Sequence, residues 1–237
     1  MTVALSVRNL HVAYNGVTAV DGYETDLEQG SLTIMLGRNG AGKSSTLRGI
    51  VGFLPGEAGR STVDITLNGE RVRRPNPLAL SRLGLGLIAE RNKVFTGMTV
   101  RDQLRLIAPD RADQAQVLEF FPRLTERLEV RAGLLSGGER QMLATALALL
   151  RKPKVLLVDE LSLGLAPAIV RELMHHLRAL ADQQGLAILA ADQAVTESLA
   201  VADRIQVMDD GDVVASGSID ELDVDSILDT YLGRETV

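Results

Sequence analysis

The sequence predicts an α/β fold interrupted by a mainly helical insert. Three observations point there. Short apolar runs alternate with helical patterns near both ends of the chain. One of those runs, SLTIML at 31–36, leads straight into a glycine loop, GRNGAGKSS at 37–45. Between the ends, the stretch 99–128 turns helical and arginine-rich. A length of 237 residues suits one such domain, or a domain with a sizeable insertion.

Taken in order, residues 3–7 alternate apolar and polar weakly, as an edge strand does. The run 31–36 reads as a buried strand, and 63–67 and 85–89 as further strands. Pro109 and Pro122 break the helical stretch that follows. Residues 137–150 form a helix that ends before Pro153, and 155–158 is a fully apolar strand. Pro167 opens a helix reaching about residue 182, where its fixed φ suits a first turn. A strand at 186–190 and a helix near Thr196 come next. Strands at 205–208 and 213–216 flank DDGD, a hairpin signal. The insert spans roughly 91–150, with the rest of the core in 1–90 and 151–237.

Composition narrows the class. Hydrophobic residues make up 46%, enough to expect a real core rather than disorder. There is no cysteine, hence no disulfide framework or thiolate zinc site, and a reducing compartment fits. The opening MTVALSVRNL is too short and weakly apolar for a signal peptide, and the longest apolar stretch, 142–150, falls far short of a membrane span. A soluble intracellular protein is expected. Net charge is −6, and residues 209–237 alone carry nine acids against Arg234. With no basic run and no Trp, nucleic-acid binding as the main task is disfavoured.

GRNGAGKSS matches the phosphate-loop pattern in its required context, after a strand and before a helix. Gly37, Arg38, Asn39, Gly40, Ala41 and Gly42 supply backbone N–H groups that wrap phosphates, and the helix N-terminus adds its dipole. Lys43 can reach the β and γ phosphates, Ser44 can bind Mg²⁺, and Ser45 completes the loop. The strand KVLLVDE ends in two acids. Asp159 would help hold Mg²⁺, and Glu160 would take a proton from the attacking water, which favours a hydrolase over a kinase. LSGGERQ at 135–141 places Ser136 as a cap with Glu139 three residues on, a capping box around Gly137 and Gly138. Two glycines are poor helix formers. They suit a backbone that lies close to something bulky, and a helix start is a second anion site.

These motifs, in this order and across nearly the whole chain, resemble the ATP-binding subunit of ABC transporters: GRNGAGKSS as Walker A, LSGGERQ as the signature and VLLVDE as Walker B. The resemblance implies a P-loop ATPase core, a mainly parallel sheet flanked by helices plus an antiparallel β region, with an inserted helical subdomain. It implies ATP and Mg²⁺, and a head-to-tail dimer with ATP sandwiched between Walker A of one subunit and the signature of the other. Gly137 and Gly138 would then press against a γ-phosphate held by the partner. Tyr14, in HVAYNGVTAV, stands where the family has an aromatic that stacks on adenine. The segment LIAERNKVFTGMTVRDQL aligns with the part that touches the membrane permease subunits; Glu90 stands where most relatives have Gln. SLGLAP at 162–167 aligns with the D-loop, and Gln193 holds the place of a catalytic His.

Glu90, SLGLAP and Gln193 together look like the second ATPase subunit of branched-chain (hydrophobic) amino-acid importers, a pattern much shared by urea/amide importers. Leu161 departs from that branch, which usually has Pro. The implied partners are membrane permease subunits, a second ATP-binding subunit (a different one favoured over a second copy) and, indirectly, a substrate-binding protein. The implied place is the cytoplasmic face of the cell membrane. Rival readings are a lipid exporter ATPase, whose relatives usually keep Gln and His at these positions, and a non-transport ABC ATPase.

Overall fold

The computed structural model describes residues 2–54, 59–73, 75–90, 94–162, 165–192, 195–224, 226–227 and 229. Two sheets organise them. The first is antiparallel, in the order β2-β1-β4-β5, from β1 (Val3–Tyr14), β2 (Val17–Glu28), β4 (Gly59–Leu67) and β5 (Glu70–Val72). The second runs β10-β9-β3-β8-β7-β6, from β3 (Leu32–Leu36), β6 (Leu85–Ile88), β7 (Val155–Asp159), β8 (Ala187–Ala191), β9 (Arg204–Asp209) and β10 (Asp212–Ser218). All its pairings are parallel except the terminal hairpin of β9 with β10.

The second sheet is buried on both faces at β3, β7 and β8, which is why these strands read as apolar runs broken only by Thr33 and the closing Asp159. Side chains alternate across it. Leu32, Ile34, Leu36, Leu156 and Val158 join the cluster beneath α3 (Val100–Ile107), α6 (Gly137–Leu149) and α7 (Pro167–Gln184). Met35, Val155 and Leu157 join the opposite cluster, shared with α1 (Lys43–Val51) and with Leu5, Leu10 and Val12 of the first sheet. Between β6 and β7 the regular structure is helical: α3, then α4 (Arg111–Phe120), α5 (Pro122–Thr125), a 3₁₀ turn at Ala132–Leu134, and α6. Two short helices remain, α2 (Pro77–Arg82) and α8 (Val195–Leu199). Among the described residues no helix is long and apolar enough to cross a membrane.

Several elements differ from the sequence expectation. The first strand is longer than expected and lies between β2 and β4, not at an edge. Its alternation is broken where Asn9 takes φ 51° and the register with both neighbours shifts. Strand β2 does not stand out in the sequence because four acids and Gly22, at φ 68°, mask its inward apolar residues Val20, Tyr23 and Leu27. The β1–β2 and β4–β5 turns are Asn15–Gly16 and Asn68–Gly69, both residues of each at positive φ, as at Asp210–Gly211. That geometry joins tightly twisted antiparallel strands.

Candidate nucleotide site

The phosphate loop leaves the C-terminal end of β3 and turns into α1. Arg38, Asn39 and Gly40 form an exposed tip, while Ala41, Gly42 and Lys43 are buried. Its glycines answer to close neighbours as well as to ligands. A Cβ on Gly37 would lie 2.4 Å from the Met208 carbonyl oxygen, and one on Gly42, at φ 100°, 2.7 Å from that of Ala19. Gly42 occupies the cap position of α1, whose first free N–H groups lie just beyond it. Lys43 Nζ donates to the carbonyls of Gly37 (2.6 Å) and Arg38 (3.1 Å). Burial pushes its pKa down, opposed by the carboxylates of Glu160, Asp159 and Asp192. An anion in the loop would favour its charged form.

Five of the expected residues converge here. Ser44 Oγ donates to Asp159 Oδ1 at 2.7 Å. Octahedral Mg²⁺ at its usual ligand distance puts adjacent oxygens about 2.9 Å apart, so this pair of hard donors fits that ion. Asp159 is 1% exposed, and its other oxygen accepts from Arg48 Nη2 at 3.2 Å. The same nitrogen lies 3.6 Å from Glu90 Oε2, which brings Glu90 into the group. Glu160 follows β7 with φ 52°, a conformation non-glycine residues rarely adopt, fixed by its N–H donating to Ala191 O at 2.9 Å. Leu161 is buried in the apolar cluster under α6 and α7.

Two features were not singled out in the sequence. Arg48 is one. The other is Asp192, a fully buried carboxylate at the end of β8 that accepts hydrogen bonds from Ser162 and Ser198. An acid closing a buried strand was a readable signal for it, as it was for Asp159. Gln193, and Leu163 and Gly164 of the D-loop segment, lie outside the described residues.

The second glycine pair begins α6. The full capping box is present: Ser136 Oγ accepts from the Glu139 N–H (3.2 Å) and Glu139 accepts from the Ser136 N–H (2.8 Å). Glu139 also accepts from Arg127 Nε at 2.8 Å. The Ser136 N–H bond, then Arg127, hold the Glu139 pKa below the ordinary glutamate range. Gly138 has a reason inside the chain: a Cβ there would meet Ile169 at 3.2 Å. Ser136→Ala is expected to cost about 1 kcal/mol in urea unfolding. The Glu139 contribution is whole above the unfolded pKa and is lost as pH falls through the depressed folded value. Flattened acid denaturation in Glu139→Gln checks it.

Tyr14 closes β1 opposite Val17 and Gly59, with its ring half-buried against the second apolar cluster and its hydroxyl buried without a hydrogen bond. Beside the insert runs an apolar groove of about 470 Å³, lined among others by Phe53, Leu85, Leu87, Phe95, Ile107 and Leu147. Phe53 and Phe95 are 61% and 60% exposed on it.

Compared with known proteins, residues 20–162 match the ABC transporter family. Over 97% of its length the chain is 34% identical to the high-affinity branched-chain amino acid transport ATP-binding protein BraG of Pseudomonas aeruginosa, covering 99% of that protein. It is 33% identical to the probable branched-chain amino acid transport ATP-binding protein LivF of Archaeoglobus fulgidus, over 90% of this chain and 91% of that one. The lipopolysaccharide export system ATP-binding protein LptB of Escherichia coli is 30% identical over 98% of each chain. Among solved structures, an ATP-binding cassette of an ABC transporter in its ADP conformation shares the fold, with TM-score 0.82 at 23% identity over 99% of this chain and 100% of that one.

Proposed function

The chain belongs to the ABC transporter family as an ATP-binding and ATP-hydrolysing subunit, and from that premise we propose that it powers an importer of branched-chain or other hydrophobic amino acids. The observation that carries the substrate class is the 34% identity with BraG, which runs the length of both chains. Glu90 in place of Gln points the same way.

In this reading the loop 37–45 holds the triphosphate, and Lys43 leaves its two carbonyls for the β and γ phosphates. Ser44 and Asp159 would hold Mg²⁺, which would supply positive charge to the phosphates. Glu160 takes the proton of the attacking water. Tyr14 stacks on the base. Ser136, Gly137 and Gly138 reach the γ-phosphate of a partner ATPase, with Glu139 holding the helix start in shape. Each shared ATP adds its binding energy to closure of the pair, and hydrolysis releases it. The groove flanked by Phe53 and Phe95 is the place for the membrane permease subunits, where exposed aromatic surface needs covering. The chain then works at the cytoplasmic face of the cell membrane.

Gln193 can hydrogen-bond a phosphate but cannot become cationic, so the chain's own Walker A site is the weaker one and the signature serves a different ATPase that carries a His. Gln193→His is expected to raise turnover of the assembled complex severalfold; unchanged turnover would remove this asymmetry.

The substrate class is tested in proteoliposomes holding the chain with its permease subunits. Binding protein loaded with leucine or valine should stimulate ATP hydrolysis. Stimulation by a urea-loaded protein instead selects the amide importer. The match to LptB favours a second reading, a lipid exporter, which predicts stimulation by lipopolysaccharide with no binding protein.

A further inference from the structure

The sequence motifs account for the charged groups around the proposed metal position except Asp192 and Arg48. Asp159, Glu160, Asp192 and Glu90 bring four carboxylates to the region of Lys43 and Arg48. Asp159 has both oxygens engaged, Oδ1 by Ser44 and Oδ2 by Arg48. A buried carboxylate needs such partners, and a divalent ion drawn to Asp159 must compete with them. Arg48 reaches Asp159 and Glu90 with the same nitrogen, at 3.2 and 3.6 Å. Its charge is therefore divided between the two, and whatever withdraws Asp159 leaves more of it to Glu90.

We propose that Arg48 is a positioning residue that sets how strongly nucleotide binding depends on the metal, by sharing one guanidinium between Asp159 and Glu90. This rests on the reading of Ser44 and Asp159 as the metal's ligands. With the metal absent, Arg48 and Lys43 supply the positive charge facing the phosphates. With the metal bound to Asp159, the guanidinium moves its weight to Glu90. The carboxylate at position 90 is thereby a counter-charge for Arg48 as well as a neighbour of the nucleotide. Glu90 follows β6, whose Leu85 and Leu87 line the apolar groove, so metal occupancy is felt beside an element of that groove.

The test measures ATP affinity of the full chain by calorimetry, once with Mg²⁺ and once in EDTA, and takes the ratio. Arg48→Met should raise that ratio about tenfold, because binding without metal suffers most when the cation is lost. Glu90→Gln should lower it, since Arg48 then serves Asp159 alone. In the double variant the two changes should fail to multiply, by a factor of about five. Arg48→Lys should stay within about threefold of the wild type, and Arg48→Gln serves if the Met variant does not fold. A ratio unchanged in folded Arg48 variants, or strictly multiplicative effects, overturns the proposal while leaving the nucleotide reading intact. A wild-type ratio of one overturns the metal assignment itself, and this proposal with it.

Discussion

Glu160→Gln is expected to cut ATP hydrolysis by a factor of about 10²–10⁴ while ATP still binds. Gln keeps the size of the side chain and can orient a water, but it cannot take the water's proton. Position matters as much as basicity. The backbone at Glu160 is held at φ 52° by the hydrogen bond to Ala191, and a left-handed non-glycine residue costs about 1–3 kcal/mol. The turn leaves the carboxylate directly after Asp159 and close enough to Lys43 to favour that lysine's charged form. Phosphate release under saturating ATP gives the first readout, and a fall of less than tenfold would move the base elsewhere. Solution mass gives the second. Because the variant holds ATP without cleaving it, doubling of mass with ATP–Mg²⁺ means the chain pairs with itself. A monomer that still binds ATP means it needs a distinct ATPase, as Gln193 suggests.

Lys43→Met is expected to weaken ATP binding by roughly ten- to 150-fold, the loss of a charge-assisted contact of about 1.5–3 kcal/mol. The side chain is 5% exposed, so little water replaces what it gives the phosphates. Its pH dependence is a separate signature. Burial lowers its folded pKa, so a folded chain without nucleotide gives up this proton more readily than an unfolded one. The cost to stability of keeping it charged is relieved as pH rises through that lowered value. Phosphates favour the charged form, so wild-type ATP affinity should fall over the same alkaline range. Calorimetry across that range should show the slope in the wild type and none in Lys43→Met.

How much of this was legible depends on how far apart in the chain the partners are. The phosphate loop and the capping box of α6 are local: strand, glycines, Lys and Ser in one case, Ser136 and Glu139 in the other. The short apolar strands were legible because both faces of the second sheet are covered. The hairpins at Asn15–Gly16 and Asn68–Gly69 carried the same signal as Asp210–Gly211, yet their flanking strands are too polar on one face to stand out. Arg48 sits on an ordinary helix, and its role appears only when β6 and β7 bring Glu90 and Asp159 to it. Gly138 likewise looks reserved for a ligand until α7 places Ile169 against it.

The place of β3 between β8 and β9 has a consequence for how the protein is made. The strand that launches the phosphate loop emerges early from the ribosome, but both its neighbours are among the last strands to be synthesised. Until they arrive, a segment that is apolar but for Thr33 has no edge to pair with. Non-local parallel pairing is slow, and exposed unpaired strands invite aggregation. The nascent chain therefore carries its nucleotide loop unfinished through most of translation, and the loop's frame is complete only once β8 and β9 have been made.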